Sequence, residues 1–141
     1  MTSEAFRNDP LFLRNQFEGE GTFQIPIVKK QHISLEQLKF IGYDHIKSDE
    51  RENKDSVVHF FLDDYKFEVL WNHPEPRLEK LKQYKAVLTP QYSLYTEMPI
   101  TLQIYNTFRN RWVGAYLQSN GIAVIPTMCW GEPQSFWFCF D

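Results

Sequence analysis

Cysteine is scarce in this 141-residue chain: there are two, Cys129 and Cys139, ten positions apart, with no Cys-x-x-Cys pair and no histidine nearby at ligand spacing. Neither a zinc site nor a disulfide framework is indicated, and no metal centre is expected. Long apolar runs are missing too. Residues 1–9 are polar and lack the apolar core of a secretory leader, and no stretch reaches the length of a membrane span. The expectation is a cytoplasmic protein without a membrane partner. Positive charge is in deficit, with 15 Lys and Arg against 18 Asp and Glu and a net charge of −3. Neutralising a nucleic-acid backbone takes a surplus of cations on at least one face, so general nucleic-acid binding is disfavoured, although a local basic patch is left open. Two motifs are absent as well. Gly19 and Gly21 have no Lys-Ser/Thr and helix behind them to make a phosphate loop, and Ser93 stands in no Gly-x-Ser-x-Gly elbow. These residues leave the cofactor unknown.

What the chain has in quantity is aromatic carbon: 12 Phe, 7 Tyr and 4 Trp, within a hydrophobic share of 43%. That is too much apolar surface for a disordered chain, and the length suits one domain over 1–141 with a core of its own. The stretch 84–130 organises it. Ile100, Ile104, Phe108, Trp112 and Ala115 or Tyr116 recur at three- and four-residue steps, which predicts a helix with Gln103, Asn106, Thr107, Asn110 and Gln118 between the apolar positions. Pro99 suits its first turn and Asn120-Gly121 its end. The flanking runs at 85–89 and 122–128 are apolar without alternation, as in strands covered on both faces. Strand, helix and strand make one βαβ unit, and a parallel sheet follows.

Upstream, residues 1–22 form a packed lead-in segment, and 22–28 suit a short strand in which Pro26 favours an edge. Ser34, with Glu36 and Gln37, is expected to open a helix at 35–38 leading into a strand at 39–43. Residues 47–56 are almost all charged or polar and are expected to be a solvated, mobile loop. Residues 57–62 are the next strand, followed by a helix at 65–71, a break at His73, Pro74, Glu75 and Pro76, and a second helical piece to residue 83. Successive right-handed βαβ units begin either an open sheet or a barrel.

In parallel α/β sheets, ligands meet the carboxyl ends of the strands. That rule selects Asp44 and His45; Asp63, Asp64 and Tyr65; Thr89, Tyr92 and Ser93; and Thr127, Cys129 and Trp130. Asp63 and Asp64 are the candidate catalytic residues, as base or metal ligand, against the competing reading that an Asp before a helix is its N-cap. Tyr65, Ser93, Arg109, Arg111, Thr127 and Trp130 are candidate binding residues. Arg109 and Arg111 could reach a phosphate, but they project from different faces of the helix, and its dipole and acidic neighbours account for them better. Cys129 without a positioned base suits buried filler, and Trp112 with Tyr116 suits the core.

The segments around residues 14–19, 59–65, 84–90 with 93–95, 106–112 and 121–130 together resemble an uncharacterised bacterial family, domain of unknown function 4417, typical of phages, prophages and plasmids. The resemblance covers nearly the whole chain and implies no known activity. It also implies that members continue past the position of Asp141, so that this chain corresponds to the N-terminal half to two-thirds of a larger α/β architecture similar to a TIM barrel. A half barrel exposes an apolar sheet edge and inner face. Closure is then required, by a homodimer contact or by Phe136, Trp137, Phe138, Cys139 and Phe140 folding across the opening. Two functions stay in view. One is a mobile-element accessory protein that binds a host protein or its own copy, countering a defence system being one such role. The other is a barrel-type enzyme acting on a small molecule, phosphorylated or not, at the strand ends.

Overall fold

Four short parallel strands organise the described residues, and from the second onward each lies beside the one before it. The computed structural model describes residues 2–34 and 36–127. The strands are β3 (Lys39–Gly42), β4 (Ser56–His59), β5 (Ala86–Leu88) and β6 (Val124–Ile125), following a two-residue antiparallel ribbon of β1 (Gly19–Glu20) and β2 (Ile25–Pro26). Gly42 aligns with His59, Val58 with Val87, and Val87 with Val124. The expected α/β class with parallel βαβ units is therefore what the chain adopts.

Both faces of the central strands are covered, which is why their sequences are apolar without alternation. Val58, Val87 and Val124 face a core of Phe60, Phe67, Leu70, Leu81, Trp112, Val113 and Leu117. Val57, Ala86 and Leu88 point the other way and meet Ile33, Leu38, Ala123 and Ile125. Fully burying each valine contributes about 1.5–3 kcal/mol.

The crossover from β4 to β5 is two short helices, α3 (Glu68–Asn72) and α4 (Leu78–Leu81), each preceded by one turn of 3-10 helix, at Asp64–Lys66 and Glu75–Arg77. Pro74 and Pro76 sit at the expected break between them. The crossover from β5 to β6 is the single long helix α5 (Ile100–Ser119), with Pro99 at its N-cap. Its end is a complete Schellman closure. Gly121, at φ +82°, donates to the Gln118 carbonyl, and Ile122 donates to that of Leu117. Gly114 lies where α5 packs against Val28 and Thr89. A Cβ there would meet Thr89 Cγ2 at 2.6 Å and Val28 Cγ2 at 2.8 Å, so only glycine permits this approach.

Several expectations need correction. No helix forms at the described residues of 35–38: Glu36 and Gln37 make a turn, Gln37 adopts a left-handed φ of 52° that ends any helix, and Leu35 lies outside the described residues. The lead-in segment holds two helices that were not expected, α1 (Ser3–Arg7) and α2 (Pro10–Leu13), capped by the Thr2 and Asp9 side chains. The strand expected at 57–62 stops at His59, and that expected at 39–43 gives way to a 3-10 turn at Tyr43–His45. The strand expected over 122–128 is described only as Val124–Ile125, Met128 lying outside the described residues.

The polar loop after β3 also differs from a freely solvated one. Glu50 is 1% exposed. Its carboxylate accepts hydrogen bonds from the Glu52 and Asn53 amides and, at 2.9 Å, from the Tyr84 hydroxyl. The Gln83 amide brackets the same turn, accepting from the Glu50 N–H and donating to the Lys47 carbonyl. Burial pushes the Glu50 carboxyl up, but the bonds from Asn53, Tyr84 and Glu52, with the Lys47 charge, outweigh it and leave the group below its ordinary range.

Candidate functional site

Beyond the last residues of β4 and β5 the chain opens into a cleft of about 560 Å³. Residues 60–63 and Lys66 line one side, and Gln91 with residues 93–95 the other. Because β4 ends at His59, the apolar residues that follow do not continue a buried strand. Phe60 turns into the core, where it meets Phe67 edge-on, while Phe61 turns outward and is 61% exposed. His59 supports it, stacking on the Phe61 ring with centroids 5.4 Å apart. Tyr95 across the cleft is 58% exposed and Tyr65 beside it 75%.

Asp63 is exposed and lines this cleft, at the N-cap position of the 3-10 turn but without capping it through its side chain. Asp64 turns away from its neighbour and holds the opposite loop: its carboxylate accepts from the Ser93 amide at 3.1 Å and the Ser93 hydroxyl at 2.9 Å. The capping reading thus fits Asp63 by position only, and Asp64 is a clamp between the two sides of the cleft. Lys66 pairs with Asp44 at 3.5 Å, and His45 lies 3.8 Å from the same carboxylate.

Behind the cleft a polar network runs through the helix. Arg109 is 8% exposed and donates to both carboxylate oxygens of Glu68, at 2.8 and 2.9 Å, and to the Asn106 side-chain oxygen. Its guanidinium lies 3.9 Å from the Tyr92 ring centre. Asn106 in turn donates to the Ser93 carbonyl at 2.8 Å. One chain of bonds therefore ties α3 to α5 and α5 to the loop carrying Ser93 and Tyr95. Burial pushes the Tyr92 phenol up despite the nearby Arg109 charge, so the ring stays neutral.

Arg111 points to another corner, donating to the Asn110 side chain and the Thr127 carbonyl. Thr127 and Thr89 are bonded to each other, with the Thr127 amide on the Thr89 hydroxyl at 2.7 Å. The structure thus brings Asp63, Asp64, Ser93 and, through Asn106, Arg109 together, and places Arg111 with Thr127 apart. Tyr65 lies beside the cleft without lining it, and Trp130 and Cys129 lie outside the described residues.

A sequence profile of the family described as Domain of unknown function (DUF4417) matches residues 17–141. The chain belongs to this family. Its relatives among curated proteins include the Gene 1 protein of Mycobacterium phage L5, 44% identical over 133 residues, or 94% of this chain and 58% of that protein. The Gene 1 protein of Mycobacterium phage D29 is 51% identical over 85 residues, 60% of this chain and 32% of that protein. The chain therefore spans little more than half the length of the first relative and about a third of the second. No solved structure matches it.

Within this DUF4417 chain, the residues that sequence reasoning passed over are Phe61, Lys66, Gln91 and Tyr95 in the cleft, and Glu68 and Asn106 behind it. A signal existed for one of them: Asn106 falls with Gln103, Thr107 and Asn110 on a single polar stripe, and that stripe is buried. Among the described residues no group of three or more His, Cys, Asp or Glu side chains could hold a metal ion, and no helix is long and apolar enough to cross a membrane.

Proposed function

We propose that this chain acts as an accessory protein of a phage or related mobile element by binding a protein, from the host or as a second copy, at the aromatic-rimmed cleft. The observation that carries the reading is the exposure of Phe61 and Tyr95 on facing sides of one open cleft, with Tyr65 beside it. Exposed aromatic side chains give large contact area at low cost in conformational entropy and are enriched at the centres of protein interfaces. The polar groups behind them bond one another, which fixes the cleft wall. Phage relatives support the mobile-element setting. Countering a host defence is one outcome such binding would have, and the net charge of −3 speaks against nucleic acid as the partner. A second copy has another surface to use, the edge strand β3 with exposed Phe40. The contact proposed through residues 136–140 falls outside the described residues. Light scattering of the purified chain, alone and after capture from host lysate, tests the reading. A dimer, or one captured protein, that is lost in the Phe61→Ala/Tyr95→Ala double variant is expected; a monomer whose captures ignore both substitutions would overturn it.

One observation favours the catalytic alternative. Asp63 and Lys66, opposite charges, line a cleft large enough for a small molecule, phosphorylated or not, at the carboxyl ends of parallel strands. The strand order, each beside its predecessor, is also what the opening half of a TIM-barrel-like sheet would have. Under that reading Asp63→Ala abolishes the biological effect of the expressed chain while its thermal midpoint is unchanged.

A further inference from the structure

We infer that the cleft recognises a cation, and that the cation is an arginine or lysine side chain presented by the bound protein. The inference rests on the docking reading above and adds the chemistry of the occupant. The first observation is an unanswered charge. Asp63 lines the cleft, and its carboxylate has no ion pair or hydrogen bond among the described residues. Lys66, which shares the cleft, is already engaged by Asp44 at 3.5 Å. The second is the aromatic surface of Phe61 and Tyr95, both exposed and both lining the same cleft as that carboxylate, rings whose faces attract cations. An anion would be repelled by Asp63, and a purely apolar side chain would desolvate it without compensation. A guanidinium or ammonium satisfies both features at once.

The molecule already makes this arrangement inside itself. Arg109 pairs with the Glu68 carboxylate while lying over the Tyr92 ring, and Arg14 lies 3.6 Å from the centre of Trp71 and 4.3 Å from that of Trp112. The cleft offers Asp63 and the rings, and the one cation among the described residues of its lining, Lys66, is paired with Asp44 rather than with Asp63.

The test is a titration of the isotope-labelled chain with acetyl-Gly-Arg-Gly-amide, followed by amide chemical shifts, alongside the same peptide carrying neutral citrulline, and tetramethylammonium. Saturable shifts confined to residues 61–66 and 91–95 are expected with the arginine peptide. Loss of a charge-assisted bond should weaken binding roughly tenfold for the citrulline peptide and for Asp63→Asn. Phe61→Ala should weaken it severalfold, with no change in thermal midpoint for either variant. Equal binding of citrulline, indifference to Asp63→Asn, or absence of saturable shifts would overturn the inference; so would tighter binding of tetramethylammonium, which would indicate a small free cation. Protein capture that needs Phe61 and Tyr95 but ignores Asp63→Asn removes this inference and leaves docking standing. Capture that ignores all three removes docking.

Discussion

Glu50 is surrounded in sequence by Asp49, Arg51, Glu52 and Lys54, so nothing in composition or period distinguishes it from a solvated carboxylate. Its distinction is a partner 34 residues away, the Tyr84 hydroxyl, and a long-range contact of that kind leaves no local signature. The carboxylate is held below its ordinary range in the folded state, so its contribution is present above the unfolded value and is lost as pH falls through the folded one. Acidification through the carboxylate range should therefore lower the melting temperature. Glu50→Gln is expected to lower it at neutral pH and to flatten that acid limb, as thermal melts across a pH series would record. Arg109 presents a similar lesson. Acidic neighbours were expected for this residue, but the sequence names no partner because Glu68 is 41 positions away. Arg109→Met should cost about 2 kcal/mol in urea denaturation, less than a fully buried pair because Glu68 keeps over a third of its side chain in water. Glu68 would be left facing the gap.

At the scale of elements, β5 and α5 were legible because their signals are local. An apolar run marks the strand, a proline and an Asn-Gly pair bound the helix, and the structure respects both boundaries. The face of α5 was harder to read. The apolar stripe of Ile100, Ile104, Phe108 and Trp112 predicts one buried side, yet Ile100 is exposed while Gln103, Asn106, Thr107 and Asn110 are buried. Polar residues at helical spacing look like a solvent face unless their bonds are known, and here Gln103, Asn106 and Asn110 bond to segments beyond the strand ends. The helices α1 and α2 had readable caps in Thr2 and in Asp9 before Pro10, but their short apolar content gave no period to follow. A substitution tests how closely α5 packs. Gly114→Ala gains about 1 kcal/mol of helix propensity. The clash with Thr89 and Val28, whose branched side chains have little freedom to yield, should exceed that by about 1–2 kcal/mol. A chemical denaturation midpoint lower than that of the unchanged protein is the expected result.

For the molecule as a whole, stability should be graded outward from the central strands. The Val87 amide donates to Ala123 and the Thr89 amide to Ile125, and both donor residues are fully buried, whereas α1 buries no residue. Native-state hydrogen exchange is expected to find Val87 and Thr89 opening only with global unfolding and the amides of α1 opening by local fraying. Exchange at Val87 as fast as in α1 would contradict the placement of the core. The cleft belongs to the same gradient: its rear wall is tied through Arg109, Asn106 and Ser93, while Phe61 and Tyr95 at its rim are exposed. The sheet order has a further consequence for synthesis. Among the described residues β4, β5 and β6 each lie against the strand translated just before, so each newly emerged one meets an edge that is already waiting. Assembly can then keep pace with the ribosome from β3 to β6, without a strand having to insert between two that have already paired.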